Sequence, residues 1–186
     1  MAIIFELYVD CNTPEELAAM KTHFSGFTLE LMTGKKTEWE FDCSPDIWAG
    51  TYDLHAFGLW SSDLSRSGVR SLVDAIECTE AGIRLYKHLC DGPAFQFARV
   101  AWEADLICRP ELEKYLEPLE SSSEKRFCVE CVLSETLYEK LGKPKNMDEF
   151  KPDYYWTGYR GEEYRPLWSS DQRQLWDLYR ECFPKS

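Results

Sequence analysis

The chain has 186 residues, of which 44% are hydrophobic and 15% aromatic, and this composition is typical of a globular protein rather than a disordered one. Its 33 acidic and 21 basic residues give a net charge of −12, which argues against binding to nucleic acids or to anionic membrane surfaces. No apolar run approaches the roughly 20 residues of a membrane-spanning helix, and no export signal is recognisable. We therefore expect a cytoplasmic protein whose eight cysteines are reduced.

The first 108 residues predict an alternation of strands and helices. Hydrophobic and polar residues alternate over 3–11, which predicts a strand with one buried face. Thr13, Pro14 and Glu16 predict the start of a helix, because they occupy the positions favoured for an N-cap, a first helical proline and a capping box. The same reasoning predicts the later elements in this order: strands at 27–33, 36–43 and 51–60, a long helix at about 65–90, and a strand at 94–107.

This order of elements leads to a predicted fold. With one strand set aside it becomes βαββαβ, the order of ferredoxin-like folds. We therefore predict an α+β fold whose antiparallel sheet has the ferredoxin-like order βαββ(β)αβ, the bracketed strand being the addition. Residues 1–108 would form this core, and residues 109–186 a C-terminal αβα extension that packs on it to give one compact unit. Within the extension, the sequence predicts a short helix at 110–116, a strand at 126–133, a helix at 134–141, a connector at 143–153 and a helix at 171–182.

Acidic residues fall on the polar side of the predicted strands. A ferredoxin-like sheet carries its helices on one face, so carboxylates on the other face would share an open surface. The residues placed there are Glu6, Asp10, Glu38, Glu40, Asp42, Glu103 and Asp105. Three interpretations follow: a solvated face partly covered by the C-terminal tail, a docking surface for a basic protein partner, or a divalent-metal site. The metal site would require the carboxylates to converge, which spacing along a strand does not ensure.

The charge excess lies outside the C-terminal tail, which we define as residues 151–186. Residues 1–150 carry 27 acids and 15 bases, whereas the tail carries six of each and is rich in tyrosine and tryptophan. Aromatic and arginine side chains together suit the recognition of a ligand or partner. An alternative site is therefore a pocket between the sheet and the tail, lined by Tyr155, Trp156, Tyr159, Arg160, Tyr164, Arg165 and His55. Packing of the aromatic rings against the rest of the chain is the other interpretation.

Three further patterns carry weaker signals. Cys128 and Cys131 form a C-x-x-C pair, but a predicted strand would send the two thiols to opposite faces, and no second pair completes a zinc site. His55 shares a strand face with Asp53, an arrangement suited to a general base, yet no nucleophile can be assigned to it. The pentapeptide Leu-Trp-Ser-Ser-Asp occurs at 59–63 and at 167–171, as a degenerate duplication or as a repeated capping turn. We expect no metal ion, no cofactor and no catalytic residue.

These observations lead to three hypotheses about function. The first is a non-catalytic binding protein whose acidic face engages a basic protein partner, in the manner of small inhibitors or immunity proteins. The alternative is a small-molecule-binding protein or an enzyme that uses the pocket lined by the tail. The third is a structural subunit that forms a homodimer through its tail. We favour the first, because the charge is localised and the sequence contains no set of catalytic residues.

Overall fold

Strands and helices are described for residues 4–42, 55–64 and 68–184 of a computed structural model. The strands are β1 (Phe5–Cys11), β2 (Thr28–Glu30), β3 (Lys36–Glu38), β4 (Glu40–Asp42), β5 (His55–Trp60), β6 (Phe97–Trp102), β7 (Leu116–Pro118), β8 (Lys125–Phe127), β9 (Val132–Ser134), β10 (Asp148–Lys151) and β11 (Tyr154–Trp156). The α-helices are α1 (Pro14–His23), α2 (Leu72–Cys90), α3 (Glu135–Lys140) and α4 (Arg173–Cys182). Short 3-10 helices lie at Ala104–Leu106, Arg109–Tyr115, Pro166–Trp168 and Ser170–Gln172. None of the helices in these ranges combines the length and the apolar character that crossing a bilayer requires.

The largest element of this mixed α+β fold is a seven-stranded antiparallel sheet. Its strand order is β10-β11-β9-β6-β1-β5-β4, so β1 lies inside the sheet between β5 and β6. The helices α1 and α2 cover one face, where Met20 and Leu89 join the core formed by Leu7 and Val9 of β1. This arrangement confirms the predicted α+β class and the predicted antiparallel sheet.

The opposite face of the sheet is covered as well. All seven residues of β1 are buried, although the alternation of its sequence predicted only one buried face. On this second face Tyr8 belongs to a cluster with Leu112, Phe127 and Leu133, which come from the segment after β6. The expectation of an open sheet face is therefore wrong around β1. Alternation in the sequence indicates which face of a strand is polar. It does not indicate whether another segment of the chain packs on that face.

The C-terminal part of the chain adds three strands to the same sheet. β9 pairs with β6, β11 pairs with β9, and β10 pairs with β11. The strand predicted at 126–133 is divided into β8, which pairs with β7, and β9. The connector predicted at 143–153 contains β10, in which Phe150 is the buried residue. A short edge strand with one buried side chain gives too weak an alternation to be predicted from sequence.

Two predicted elements near the N-terminal half have different limits in the structure. The strand predicted at 36–43 is divided at Trp39: β3 pairs with β2 in a separate two-stranded sheet, while β4 pairs with β5 at the edge of the large sheet. The long helix predicted from residue 65 begins at Leu72. Ser71 sets this start, because its hydroxyl accepts a hydrogen bond from the amide of Asp74 at 3.1 Å.

The strand predicted at 94–107 ends early, at Trp102. Glu103 adopts a left-handed backbone with φ of 47°, and Ala104–Leu106 form a 3-10 helix, so the extended conformation cannot continue. Residues 43–54 and 65–67, on which parts of the predicted strands and of the predicted long helix fall, lie outside the described residues.

Aromatic rings join the tail to the core. Trp156 is buried, and the ring centroids of Tyr86, Phe150 and Phe183 lie 5.7, 5.1 and 4.7 Å from its own. Tyr179 of α4 stacks on Trp156 at 6.3 Å. These contacts bring β10, β11 and α4 against α2, so part of the aromatic tail is core.

The repeated pentapeptide forms the same local turn at two unrelated positions. The first copy ends β5, whereas the second lies in the 3-10 helices near the start of α4. In both, a serine hydroxyl accepts a hydrogen bond from the amide of the aspartate two residues later: Ser61 from Asp63 at 3.2 Å, and Ser169 from Asp171 at 3.4 Å. The shared hydrogen bond favours a repeated capping turn as the explanation.

Candidate ligand-binding pocket

The large sheet opens along one edge of β6 and leaves a pocket there. β6 pairs with β1 from Phe97 to Trp102, but with β9 only at Phe97 and Ala98. Beyond Ala98, the segments 128–130 and 159–162 line a cavity of about 450 Å³ together with β6. Its principal side chains are Arg99, Trp102, Tyr115, Cys128, Glu130 and Glu162.

Arg99 brings a positively charged side chain to this pocket, and its charge lowers the pKa of both Glu130 and Glu162. Its Nε atom is buried, and no hydrogen-bond acceptor in the described part of the chain reaches it. Arg99 also forms no ion pair in the described part of the chain. The arginines that do form ion pairs there are Arg84, Arg109, Arg160, Arg173 and Arg180. A buried polar group without a hydrogen bond lowers stability unless a ligand or water completes it. Arg99 is therefore the residue of the pocket best suited to bind a ligand.

Glu162 is held in place by hydrogen bonds from both sides. The indole N–H of Trp102 donates to its Oε2 at 2.7 Å, and the hydroxyl of Tyr159 donates to its Oε1 at 3.1 Å. Its backbone amide donates to the hydroxyl of Thr79 in α2 at 3.0 Å. Burial raises the pKa of Glu162 above the ordinary value of 4.5, and the two side-chain hydrogen bonds oppose this shift. With both oxygens occupied, Glu162 shapes the wall of the pocket rather than offering a free base.

Glu130 also lines the pocket and contacts Arg160. The backbone amide of Arg160 donates to Oε2 of Glu130 at 3.4 Å, and its Nε lies 3.8 Å from Oε1. Burial raises the pKa of Glu130 above 4.5, while Arg160 and Arg99 oppose the rise. Both carboxyl groups therefore accept hydrogen bonds from the protein, whereas Nε of Arg99 has no hydrogen-bond partner in the described residues.

Cys128 lies at the exposed rim of the pocket. Its thiol donates a hydrogen bond to the backbone carbonyl of Tyr115 at 2.7 Å. Partial burial, followed by the charge of Glu117, raises the pKa of this thiol above 9.0, so the reactive thiolate is disfavoured. Cys131, the other cysteine of the C-x-x-C pair, is buried, and both are free thiols. The arrangement suits binding better than nucleophilic catalysis.

Gly82 of α2 is required by the hydroxyl end of Tyr159. A Cβ at this position would overlap the Tyr159 hydroxyl and lie 2.5 Å from Cζ of that ring. We expect Gly82→Ala to lower the free energy of unfolding by about 1–3 kcal/mol through overpacking, although alanine is normally better in a helix by about 1 kcal/mol. Urea unfolding followed by circular dichroism measures the change.

The control for this substitution is a double-mutant cycle with Tyr159→Ala. Removing the ring removes the overlap, so Gly82→Ala should cost little or even stabilise the protein in the Tyr159→Ala background. An alanine at position 82 that stabilises the otherwise unchanged protein would contradict the described contact.

The structure does not bring the seven predicted acidic residues onto one open face. Glu6 and Asp10 are buried beneath the second-face cover, with 5% and 0% of their surface exposed. Glu38 lies on β3 in the separate two-stranded sheet. Glu103 and Asp105 follow β6 and lie outside its strand. The sequence predicted a strand as far as residue 107, which would have put both residues on the sheet. That prediction is wrong, because the strand ends before the turn at Glu103.

Three of the acidic residues do meet. The amide of Asp105 donates to Oε1 of Glu6 at 3.1 Å. Gly58 of β5 leaves room for the side chains of Glu6 and Asp42, because a Cβ at position 58 would lie 2.7 Å from Oε2 of Glu6 and 3.4 Å from Cβ of Asp42. Burial, and then the charge of Asp105, raises the pKa of Glu6 from 4.5 to about 8. Glu6 is thus largely protonated at neutral pH and offers no charge to a partner.

Glu40 and Glu38 remain exposed on β4 and β3. Glu40 shares the sheet face of Glu6, since both residues pair with Trp60 of β5. Recognition of a basic protein partner by the acidic residues stays a prediction. Fewer of these residues are exposed than the sequence suggested.

Asp10 forms an internal ion pair instead of a surface charge. Its Oδ2 lies 3.2 Å from Nε of Arg109, which belongs to the 3-10 helix over the second face. Burial raises the pKa of Asp10 from 3.8 to about 7, and Arg109 opposes the shift. Across residues 4–42, 55–64 and 68–184, no three His, Cys, Asp or Glu side chains are arranged to hold a metal ion, so the metal interpretation gains no support there.

The residues of the alternative, tail-lined pocket are scattered, and two of them reach the pocket beside β6. Tyr159 lines it, and Arg160 holds Glu130 at its edge. Trp156 is part of the core, and Tyr155 stacks on Tyr138 at 4.0 Å. The others lie elsewhere: Tyr164 and Arg165 are exposed on a left-handed turn, and His55 is at the start of β5.

Two tryptophans of the tail remain at the surface. Trp168 and Trp176 are 70% and 38% exposed, with ring centroids 6.5 Å apart. They line a shallow groove with Leu167 and Tyr179. Formation of a homodimer through the tail stays a prediction.

Sequence reasoning did not select Arg99, Trp102, Tyr115, Glu130 or Glu162. Arg99 carried the clearest available signal, a lone arginine within an otherwise apolar strand. The other four residues come from segments that approach one another only because β9 separates from β6. No local sequence pattern predicts where that separation occurs. Comparison with protein-family models, curated proteins and solved structures finds no match for this chain. The chemistry of the pocket itself is therefore the basis for proposing a function.

Proposed function

We propose that this protein binds a small organic molecule in the pocket beside β6. The observation that carries the proposal is the side chain of Arg99, which lines a cavity of about 450 Å³ and whose buried Nε has no hydrogen-bond partner among the described residues. A cavity of this size falls within the range of roughly 300–1,000 Å³ that small-molecule sites occupy. Trp102, Tyr115 and Tyr159 give the pocket aromatic surface, and two of its polar groups, Glu130 and Glu162, are held by hydrogen bonds.

The surroundings of the pocket favour a preformed site. Trp102 belongs to β6, which is paired with β1 along its length, and Tyr159 is buried against α2. Glu162 is fixed by both of these side chains. Little side-chain freedom is therefore lost when a ligand enters, which favours affinity.

The proposal also includes a more specific description of the scaffold. We infer that β1, α1, β4, β5, α2 and β6 form a ferredoxin-like unit, because β5 lies between β1 and β4, and β1 lies between β5 and β6. The hairpin of β2 and β3 is then an insertion, and β9, β11 and β10 extend the β6 edge. In this description the pocket lies where the added strands meet the ferredoxin-like unit.

Cys128 provides a direct test of binding in this pocket. A panel of small carboxylic acids, amines and neutral aromatic compounds would be screened by thermal shift, and compounds that raise Tm would be tested for slower alkylation of Cys128 by iodoacetamide. Peptide mass spectrometry separates Cys128 from Cys90 and Cys182, which lie outside the pocket and serve as internal controls. We expect protection of Cys128 alone.

A pocket-filling variant makes the test specific. Ala101 lines the cavity, so Ala101→Leu should reduce both the thermal shift and the protection of Cys128. Stabilising compounds that leave Cys128 alkylation unchanged, or a panel without any protecting compound, would count against the proposed function.

A further inference from the structure

We propose that the ligand of this pocket is a flat, mostly apolar monocarboxylate, such as an aromatic acid, whose carboxylate binds Arg99. This inference depends on the proposed function, since it names the chemical class that the same pocket would accept. Three features of the pocket support it: the Arg99 side chain, the protein partners of Glu130 and Glu162, and the apolar part of the lining.

The first feature is the Arg99 side chain. It lines the cavity, and its buried Nε has no hydrogen-bond acceptor in the described ranges. A guanidinium presents parallel N–H donors that match the two oxygens of a carboxylate, and such charge-assisted pairs are stronger than neutral hydrogen bonds. An incoming carboxylate would add charge-assisted hydrogen bonds to this side chain within a partly buried site.

The second feature is that the two acidic residues have partners in the protein. Glu162 already accepts hydrogen bonds from Trp102 and Tyr159, and Glu130 is paired with Arg160. Neither carboxyl group needs a ligand cation. Both also limit the negative charge that the pocket tolerates, because a dianion such as a phosphate monoester would be repelled by any ionised fraction of these groups. We therefore expect the ligand to carry no more than a single negative charge.

The third feature is the apolar part of the lining. Trp102, Tyr115 and Ile107 give the cavity aromatic and aliphatic surface. Flat apolar groups bury area against such rings and add offset or edge-to-face contacts. A ligand with one carboxylate at one end and an aromatic ring at the other would use both properties of the pocket.

Four matched probes test the ligand class on the unmodified protein. Phenylacetate, phenylacetamide, phenethylamine and phenyl phosphate share an aromatic ring and differ in charge. Isothermal titration calorimetry gives their affinities, and protection of Cys128 from iodoacetamide reports occupation of the pocket. We expect phenylacetate to bind about tenfold or more tightly than phenylacetamide, the size expected for one charge-assisted hydrogen-bonded pair, and more tightly than the other two probes.

Variants at Arg99 then identify the group responsible. Arg99→Met should weaken phenylacetate binding about tenfold or more and leave phenylacetamide binding nearly unchanged, whereas Arg99→Lys should retain part of the preference. Arg165→Met, at an exposed arginine outside the pocket, is the matched control and should change neither affinity. Circular dichroism verifies that each variant is folded, and the comparison of probes on the unmodified protein needs no variant.

The possible results separate this inference from the proposed function. Equal protection of Cys128 by phenylacetate and phenylacetamide, or preference for phenethylamine, would overturn the monocarboxylate assignment while supporting small-molecule binding in the pocket. Tight binding of phenyl phosphate would likewise overturn it. Binding of phenylacetate without protection of Cys128 would contradict both, because the ligand would occupy another site. Absence of binding by all four probes would overturn the monocarboxylate assignment, and the wider panel would then decide the proposed function.

Discussion

Replacing Trp156 with alanine is expected to lower the free energy of unfolding by about 3–5 kcal/mol. Trp156 is 2% exposed, and the rings of Tyr86, Phe150 and Phe183 surround it. Truncating the indole would leave a cavity among side chains from α2, β10 and the C-terminal residues after α4. Because rings in a close-packed core cannot shift far, the cavity would be only partly filled by relaxation.

Trp168→Ala is the matched control for this substitution. Trp168 is 70% exposed, and its aromatic neighbour Trp176 is also partly exposed. A surface substitution of this kind changes stability by about 0.5 kcal/mol or less. Urea unfolding followed by far-ultraviolet circular dichroism would measure both variants and avoids the loss of tryptophan fluorescence as a confounding signal.

The unfolding slope adds a second readout for Trp156→Ala. If the tail strands and α4 share the core of the sheet, the variant should unfold in one transition with a nearly unchanged m value. Equal destabilisation by the two tryptophan substitutions would contradict the described core position of Trp156. A separate early transition in the variant would show that the tail can detach from the rest of the sheet.

Features set by neighbouring residues could be predicted from the sequence. The start of α1 follows from Thr13, whose hydroxyl accepts a hydrogen bond from the amide of Glu16 at 3.2 Å as its position predicts. The strand β1 and the final helix α4 were also predicted, because each has a regular periodic pattern. These elements were sufficient to predict the α+β class.

Features set by distant parts of the chain could not be predicted. Glu6 and Glu40 have the same alternating pattern in the sequence, yet one is buried under the segment after β6 and the other is exposed. The pocket presents the same difficulty, because it forms where β9 leaves β6 after two paired residues. A period of two residues assigns a side chain to one face of a strand. Whether that face is covered, and where two strands separate, depends on contacts between distant parts of the chain.

The buried carboxyl of Glu6 gives the protein a predicted dependence of stability on pH. Its pKa is raised from 4.5 to about 8, first by burial and then by the charge of Asp105. Folding therefore favours the protonated form. The stabilisation that this preference gives is fully present below about pH 4.5 and is lost as the pH rises towards 8. Asp10, with a pKa raised to about 7, acts in the same direction.

Glu6→Gln should remove the contribution of Glu6, because glutamine has nearly the same shape, accepts the hydrogen bond from Asp105 and does not ionise. We expect the variant to be more stable than the unsubstituted protein by about 2–4 kcal/mol at pH 8.5, and to differ from it by less than about 1 kcal/mol at pH 5. Urea unfolding at the two pH values measures both differences. The remaining dependence on pH would include that of Asp10.

Glu40→Gln is the control for this last substitution, since Glu40 pairs with the same residue, Trp60, on the same sheet face but is exposed. It should leave the stability difference between pH 5 and pH 8.5 as it is in the unsubstituted protein, because an exposed carboxylate is well hydrated in both the folded and unfolded states. A gain from Glu6→Gln that is the same at both pH values would contradict a buried, titrating carboxyl at position 6. A gain confined to pH 8.5 would instead show that this carboxyl is kept protonated by the fold, which is the reason it cannot contribute to an acidic docking surface at neutral pH.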